Sequence, residues 1–421
     1  MPNTLFLQPI SPSDNSNPNY ASATGGAVFS NYSQAASGTL TSAETDTLVT
    51  GGVSAAIADA QAVFSNDPSF SALFTDSAVI SLGEASQGSS SSETKVVANF
   101  SIAKNQTFSF DFATNLQLQA KEIEDRKTEY NWAQGKTSFL ILETGDFKKP
   151  KVLDYFGING KLISADKMAE LKVRTPRKQD YITITDRNQS TDIDGNNGQD
   201  FVTGSTTGHY QRKFNRDLNI TIVELNTSDT KFKQDALIGK LGSDVTYGTI
   251  WDDLINGTQG ENKIYGSLGN DKIHAHGGND ILEGGLGNDW LDGGDKNDKI
   301  HGSDGDDTLI GGPGDDTLVG GPGDDLMKGN SGNDLFLFKN DDSLLRGEFD
   351  IIKEFKADKA KIELQGWGTM NASDLLAGSA TSPFQIGDTP DGALLTSSSG
   401  GKVLLEGIRV NQIKPENFLF S

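Results

Sequence analysis

The chain of 421 residues contains no cysteine, so neither disulfides nor thiol chemistry can contribute to its stability or its function. No run approaches the roughly eighteen apolar residues of a membrane-spanning helix, so no membrane span is expected. Residues 1–34 lack a basic region followed by an apolar one, so the sequence predicts no cleavable export leader.

Several catalytic motifs are also missing. There is no His-Glu-x-x-His zinc motif, no Gly-x-Ser-x-Gly nucleophile elbow and no phosphate-binding loop. The histidines are few: His209, His274, His276 and His301. These absences favour a protein without catalysis, while the abundant carboxylates leave open a hydrolase that works through an acidic pair.

Positive charge is scarce as well. The chain holds 36 Lys+Arg against 58 Asp+Glu, a net charge of −22. Such a chain repels phosphate backbones and anionic lipid surfaces, so nucleic acid is not expected as a partner.

Glycine and aspartate, by contrast, recur with a fixed period of nine between Gly248 and Leu337. A clear unit is Gly311–Val319, Gly-Gly-Pro-Gly-Asp-Asp-Thr-Leu-Val. Position 6 of the ten units is acidic in all but one: Asp253, Asn262, Asp271, Asp280, Asp289, Asp298, Asp307, Asp316, Asp325 and Asp334. Position 8 is always large and apolar: Ile255, Ile264, Ile273, Leu282, Leu291, Ile300, Leu309, Leu318, Met327 and Phe336. A repeat of this regularity predicts a stack of identical structural units.

The pattern within a unit predicts a turn followed by a short strand. Glycines at positions 1, 2 and 4 permit a sharp turn, and a strand at positions 7 to 9 points its middle side chain to one side. Position 8 should therefore face a core, while positions 7 and 9 face water. Two units make one coil, so units of the same column alternate along the chain.

These units resemble the G-G-x-G-x-D-x-U-x motif (U is apolar) of the RTX, or repeats-in-toxin, family. The resemblance implies a parallel β-roll in which calcium lies between successive turns, held by the ten position 6 side chains and by turn carbonyls. Ten units would form about eight sites at most, with the six to eight oxygen ligands that Ca²⁺ prefers. The repeats carry 18 acidic residues against five lysines, a net charge of −13 that calcium would balance.

Some units depart from the motif. Asn262 is uncharged and predicts a weaker site, and Trp251 and Lys296 replace the position 4 glycine. Residues Gly239–Tyr247 look like a degenerate eleventh unit, with Asp244 at position 6, that caps the roll.

The predicted fold class is all-β: a carboxyl-terminal parallel roll preceded by an antiparallel β-sandwich-like domain. The expected divisions are residues 1–75, of low complexity with a helix near Ala43–Val63; residues 76–238, the sandwich; residues 239–337, the roll; and residues 338–421, a cap with a secretion signal. Within the sandwich, two short helices are expected at Glu122–Trp132 and Ala165–Leu171. The segment Asp192–Asp200 resembles a calcium loop superficially, but a solvated turn explains it better, because loop position 6 is Asn197 and the twelfth residue is Thr203.

The end of the chain predicts how the roll closes. Phe349–Phe355 resembles the segment that ends RTX rolls, and Ala393–Thr396 should form a hairpin with Lys402–Leu405. The last residues, Asn417–Ser421, look like the uncleaved signal of type I secreted RTX proteins, and they could equally be a last strand.

Together these features predict a secreted calcium-binding protein, extracellular or at the cell surface, whose roll folds on calcium after passage through type I export machinery. A surface, matrix or adhesion role is the first interpretation. A lectin-like module that binds cell-surface glycans through Tyr130, Trp132 or Tyr210 is an alternative, and an extracellular hydrolase is another.

Overall fold

A computed structural model describes residues 6–8, 10, 18–51, 54–66, 69–81, 85–123, 125–145, 149–175, 181–193, 198–340, 343–344, 347–367, 371–378 and 382–421. The chain divides into two compact units. One comprises residues 15–234. The other comprises residues 1–14 together with 235–421. No helix of the described residues is long and apolar enough to cross a membrane.

The first unit consists of antiparallel strands. Its strands are β1 (Asn19–Ser30), β2 (Gly38–Thr50), β3 (Ser54–Asn66), β4 (Ser69–Ser81), β5 (Ser86–Ile102), β6 (Thr107–Lys121), β7 (Glu129–Glu143), β8 (Lys151–Ile163), β9 (Met168–Arg174), β10 (Ile182–Asp192), β11 (Gln199–Lys213) and β12 (Leu218–Gln234). They form two six-stranded sheets. Sheet A has the order β10-β11-β6-β1-β4-β3, and sheet B has the order β2-β5-β12-β7-β8-β9.

The two sheets share one apolar interior. Along β6 the side chains alternate between buried and more exposed, so Phe108, Phe110 and Phe112 all point inward. Phe110 of sheet A meets Phe139 of sheet B edge to face, with ring centroids 5.2 Å apart. This packing confirms the predicted antiparallel sandwich and its all-β class.

The predicted helices of this unit are wrong. Residues expected to be helical at Ala43–Val63 lie mostly in β2 and β3, because β2 pairs with β5 over its whole length and β3 pairs with β4, with alternate alanines of β3 partly buried. The described part of Glu122–Trp132 is a turn that leads into β7, and Ala165–Leu171 is a 3₁₀ turn followed by β9. The boundary expected between residues 75 and 76 falls inside β4, so the low-complexity segment contributes strands to both sheets.

The second unit is a stack of short parallel strands. They are β13 (Thr246–Tyr247), β14 (Leu254–Asn256), β15 (Lys263–Leu268), β16 (Lys272–His274), β17 (Ile281–Leu286), β18 (Trp290–Asp292), β19 (Lys299–Asp304), β20 (Thr308–Pro313), β21 (Thr317–Val319), β22 (Leu326–Ser331), β23 (Leu335–Lys339), β24 (Phe349–Lys353) and β25 (Lys361–Gln365). The unit ends with helix α1 (Ala372–Leu376) and strands β26 (Phe384–Asp388), β27 (Gly392–Ser397), β28 (Lys402–Glu406) and β29 (Phe418–Phe420).

Successive strands of the roll belong in turn to two parallel sheets. Sheet C has the order β13-β15-β17-β19-β21-β23-β25-β29, and sheet D has the order β14-β16-β18-β20-β22-β24-β28-β27-β26. Ile264 pairs with Leu282 and Ile273 pairs with Leu291, so each coil takes 18 residues. The ten position 8 side chains form one buried core, as the period predicts.

The carboxyl-terminal residues continue both sheets. Ile352 follows Met327 in sheet D, and Ile362 follows Phe336 in sheet C. The predicted hairpin is confirmed, since Ala393 pairs with Leu405. Residues Phe418–Phe420 form the last strand of sheet C, against β25.

One column of position 9 side chains is buried, contrary to expectation. Tyr265, Glu283 and His301 follow one another on the outer side of sheet C, and each is at most 1% exposed. They are covered within the same unit: the backbone amides of Phe6 and Leu7 donate to Glu283 Oε1, and Leu7 packs with Tyr265. A repeat pattern cannot reveal such a cover, because it comes from a segment far away in sequence.

Candidate metal sites of the roll

The ten position 6 residues stand immediately before the roll strands, in two columns. The column on sheet D comprises Asp253, Asp271, Asp289, Asp307 and Asp325. The column on sheet C comprises Asn262, Asp280, Asp298, Asp316 and Asp334. Consecutive members are one coil apart, so the structure brings each column together as the alternation predicts.

A ladder of hydrogen bonds orients the carboxyl groups of the columns from Asp271 onwards. The backbone N–H of Asp271 donates to Oδ1 of Asp289 at 2.7 Å, and the N–H of Asp289 donates to Oδ1 of Asp307 at 2.7 Å. The other column repeats this contact, with Asp280 donating to Asp298 at 2.8 Å. One oxygen of each carboxyl group is thus fixed by the preceding coil, and the direction of the other oxygen follows.

The second oxygen of these carboxyl groups has no hydrogen-bond partner among the described residues. The buried Oδ2 atoms concerned belong to Asp271, Asp280, Asp289, Asp298, Asp307, Asp316 and Asp325. An unpartnered buried carboxylate oxygen is costly, whereas it is a good ligand for a hard cation. The donor set therefore fits calcium.

Backbone oxygens converge on the same place. A Cβ added to Gly302 would lie 2.1 Å from Oδ2 of Asp307 and 2.7 Å from the carbonyl oxygen of Gly320. At Gly284 the corresponding atoms are Oδ2 of Asp289 and the carbonyl oxygen of Gly302, at 2.2 and 2.4 Å. At these glycines a side chain would fill the space between the oxygens, and position 1 is glycine in nine of the ten units, with Ala275 in the fourth.

No cluster of three His, Cys, Asp or Glu side chains suited to a metal occurs in the described residues. This agrees with the columns, because neighbouring carboxylates belong to consecutive coils and backbone carbonyls supply further oxygens. We propose the position 6 side chains as the carboxylate ligands, with the case strongest for the seven that have an unpartnered Oδ2.

The first two turns differ from the rest. Oδ2 of Asp253 accepts from the N–H and hydroxyl of Thr249, at 2.6 and 2.9 Å, and Oδ1 of Asn262 accepts from the N–H of Thr258 at 2.7 Å. In both turns, the threonine at position 2 thus forms a hydrogen bond with the side-chain oxygen that would otherwise bind a cation. Asp253 and Asn262 are therefore the least suited of the ten side chains to bind a cation.

The substituted position 4 residues behave differently from each other. Lys296 keeps the left-handed turn with φ = 80°, as glycine does at the equivalent Gly287 and Gly305. Its turn is therefore preserved at the cost of backbone strain. Trp251 does not have a positive φ, so the backbone of the first turn has a different conformation.

Sequence reasoning missed Asp350 as a member of a column. The N–H of Asp325 donates to Oδ1 of Asp350 at 3.0 Å, and Asp350 is 1% exposed. It follows Asp325 by 25 residues instead of 18, because residues 338–348 extend the chain between the two coils. The apolar pair Ile351–Ile352 after Asp350 was the available signal, since it matches positions 7 and 8 of a repeat.

Burial raises the pKa of these carboxyl groups. It reaches about 8 for Asp271 and Asp325, and about 7 for Asp289, Asp298 and Asp316. Desolvation is the largest cause, and for Asp271 the neighbouring carboxylate of Asp289 adds to it. Without a cation, the folded columns therefore hold protons near neutrality.

The sequence also suggested a glycan site and a calcium loop outside the roll. Tyr210 of the suggested glycan site is fully buried against Phe110 and donates to Asp154, so it cannot stack on a sugar. Residues 194–197 of the candidate calcium loop lie outside the described residues. Glu224, whose pKa burial raises to about 7, accepts internal hydrogen bonds from Tyr32 and Ser71.

The residues form a parallel roll with columns of oxygen atoms that are placed to bind cations. A protein-family model matches the same part of the chain. The model of the RTX calcium-binding nonapeptide repeat matches four times, at residues 247–282, 283–318, 301–336 and 310–344. Residues 247–344 are thus RTX repeats, which bind Ca²⁺, and the protein is a calcium-binding RTX-type protein.

Solved structures that match part of this chain include two subunits of mannuronan C5-epimerase from Azotobacter vinelandii. AlgE6R3 is 23% identical over 43% of this chain and 81% of that chain, with a TM-score of 0.22. AlgE6R2 is 22% identical over 42% and 91%, with a TM-score of 0.23. The extracellular lipase LipA from Serratia marcescens is 17% identical over 43% of this chain and 40% of its own length, with a TM-score of 0.20. A comparison with the curated proteins found no match.

Replacing Asp307 tests the assignment of the carboxylate ligands. D307N removes one carboxylate from the middle of its column, so the number of bound calcium ions should fall. The calcium concentration at half-folding should rise about three- to tenfold, because ion binding is coupled to folding. Isothermal titration calorimetry and circular dichroism measure the two effects. D391N removes an equal charge from an exposed position outside the repeats and should change neither; equal effects would refute the assignment.

The raised pKa values predict different pH responses with and without calcium. In chelator, the folded roll binds more protons than the unfolded chain between pH about 4 and 8, so its stability is greatest at low pH and falls progressively until about pH 8. With calcium, the carboxyl groups are ionised both in the folded roll and in the unfolded chain, so the calcium midpoint of folding should change little between pH 8 and about 5.5. Circular dichroism at several pH values follows both trends. A stability in chelator that does not fall with rising pH would contradict this account.

Proposed function

We propose that this calcium-binding RTX-type protein is secreted and that calcium folds its roll after export. The observation that carries the proposal is the row of buried, unpartnered carboxylate oxygens in the folded roll. Without calcium these groups repel one another or must take up protons, and the glycine-rich backbone has much entropy to lose on folding. Calcium removes the repulsion only where it is plentiful, which favours the outside of the cell over the cytosol.

The order of events follows from this coupling. At low calcium, residues 239–337 remain extended and can pass through type I export machinery. Outside, calcium occupies the columns, and coils add next to coils that are already folded. Residues 338–421 act as the closing cap, because their strands cover the end of both roll sheets.

The secretion signal is assigned to Asn417–Ser421. Phe418–Phe420 pairs with β25 in the folded roll, while before export the unfolded roll would leave this segment free for recognition. One apolar segment can thus be a signal inside the cell and the last strand outside it.

The antiparallel sandwich is the module that the roll displays. We assign the whole molecule to the cell surface or the extracellular matrix, in a structural or adhesive role. The support is the division of the chain into a calcium-dependent unit and a separate sandwich of ordinary composition, residues 15–234.

A glycan-binding role is the second candidate, on the evidence of a groove on the outer face of sheet A. Phe74 and Val28 are partly exposed there, and Gln61, Asn115 and Ser205 supply amide and hydroxyl groups beside them. An apolar surface flanked by such groups suits a sugar ring. Retention of a defined sugar by the whole protein on a glycan array, lost in F74A, would favour this role; no retention would exclude it.

Limited proteolysis of the full chain tests the primary proposal. With chelator, cleavage should concentrate between residues 239 and 421, while residues 15–234 stay protected. Calcium should protect both units, and magnesium at equal concentration should not, because it demands a tighter octahedral shell. In cells with a type I exporter, deletion of Asn417–Ser421 should retain the protein inside. Identical cleavage with chelator and with calcium would overturn calcium-driven folding, and undiminished export of the deletion would overturn the signal.

A further inference from the structure

The sandwich has an unusually open edge at β2. This strand forms one border of sheet B and pairs with β5 over its whole length without a register shift. No other described strand pairs with its outer side. Every residue from Gly38 to Val49 is exposed. Such an edge presents a row of unpaired N–H and C=O groups to solvent.

Apart from the acidic side chains of Glu44 and Asp46, the usual protections of an edge strand are missing from β2. Its sequence contains neither proline nor lysine, and the regular pairing with β5 excludes a bulge. Threonine occupies five of its positions and favours extended pairing. A long, flat edge without these devices is a template for another strand.

The opposite border of sheet B is β9, which is also regular. It pairs with β8 over seven residues without a shift. The corresponding border of sheet A is interrupted, because the pairing of β10 shifts between Ile184 and Asp186. Of the two borders on that side, β9 is therefore the one suited to extension.

Strand direction allows these two borders to meet. Sheet B has six strands, all antiparallel, so its first and last strands run in opposite directions. A second copy in the same orientation therefore places its β2 antiparallel to β9 of the first. The core-facing and outward faces of the two sheets also match, so no side chain has to change sides.

Charge favours this arrangement over pairing of β2 with itself. On the outward face of the β2 border, Glu44 is the direct cross-strand partner of Glu93, and Asp46 lies two residues further along β2. On the outward face of the β9 border, Lys172 and Arg174 are exposed, and Lys161 lies on the neighbouring β8. Glu170 lies on the same face and forms an ion pair with Lys172, so the face keeps a net positive charge. An antiparallel β2–β2 pair centred on this segment would instead place Glu44 near its own copy.

We propose that β2 of one copy pairs antiparallel with β9 of the next, so that sheet B continues from molecule to molecule in an open, head-to-tail chain. The contact is heterologous and does not close on itself. Its length is limited by the seven residues of β9, which places it among the small interfaces that bury less than about 1,200 Å² in total. The chain should therefore grow at high local concentration, such as that of a surface or matrix layer. The proposal concerns the sandwich and is independent of calcium-driven folding.

The test uses the full-length protein in saturating calcium and low salt, by sedimentation velocity over a concentration series. The wild-type average mass should rise steadily past that of a dimer, and added salt should reduce it. E44K/D46K reverses the acidic border and K172E/R174E reverses the basic one. Each variant alone should associate at least about tenfold more weakly, since both of its borders then carry the same charge.

An equal mixture of the two variants supplies the decisive comparison. The basic β2 of the first then meets the acidic β9 of the second, and the remaining borders match in the same way, so association should return. The control D391K/E406K makes the same change of charge at exposed positions of the other unit and should associate like the wild type. Circular dichroism confirms that all variants are folded.

Three outcomes would overturn the proposal. They are a wild-type protein that remains monomeric throughout, growth that stops at a dimer, and a mixture that fails to associate although its components are folded. A dimer would point to two-fold pairing, and a persistent monomer would leave the β2 edge to a partner of another sequence. Calcium-dependent protection of the roll is measured separately, so failure of either proposal leaves the other standing.

Discussion

The roll depends on one constraint: a carboxyl group must be buried at the same place in every coil. From Asp271 onwards, each position 6 aspartate accepts the backbone N–H of the preceding coil through Oδ1, and in seven of them Oδ2 has no partner among the described residues. The hydrogen bonds thus hold the columns in register, while the second oxygens require a cation or a proton. Regular coils, acidic composition and dependence on calcium all follow from that arrangement.

The same constraint explains which departures the fold accepts. Asp350 takes its place in a column although 25 residues separate it from Asp325, because the ladder requires a carboxyl group at a point in space and not a fixed count of residues. Lys296 is tolerated at a left-handed turn position. Most position 1 glycines adjoin Oδ2 of their own aspartate, as Gly302 adjoins Asp307, and Ala275 shows that the fourth unit accepts a methyl group at this position.

The sandwich is held together by different means. Its interior is aromatic, with Phe110 and Phe139 in contact between the sheets, and it contains no comparable column of buried acids among its described residues. Its borders are unequal: β2 is long and exposed, while β10 is interrupted. If the borders pair between copies as proposed, calcium would control when the molecule becomes a folded extracellular protein, and strand pairing would control how copies are arranged.

The sequence by itself determined the period of nine, the two alternating columns and the apolar core at position 8, and its resemblance to RTX repeats indicated calcium. It could do so because the residues of each repeat predict a turn and a short strand. Ten copies of the same pattern remove the ambiguity that a single copy would leave. Only the tertiary structure decided that Ala43–Val63 contributes strands. It also decided that Thr249 and Thr258 donate hydrogen bonds to the side-chain oxygens of Asp253 and Asn262. Finally, it decided that Phe6 and Leu7 cover Glu283. Those outcomes depend on contacts between segments distant in sequence, which a local pattern does not encode.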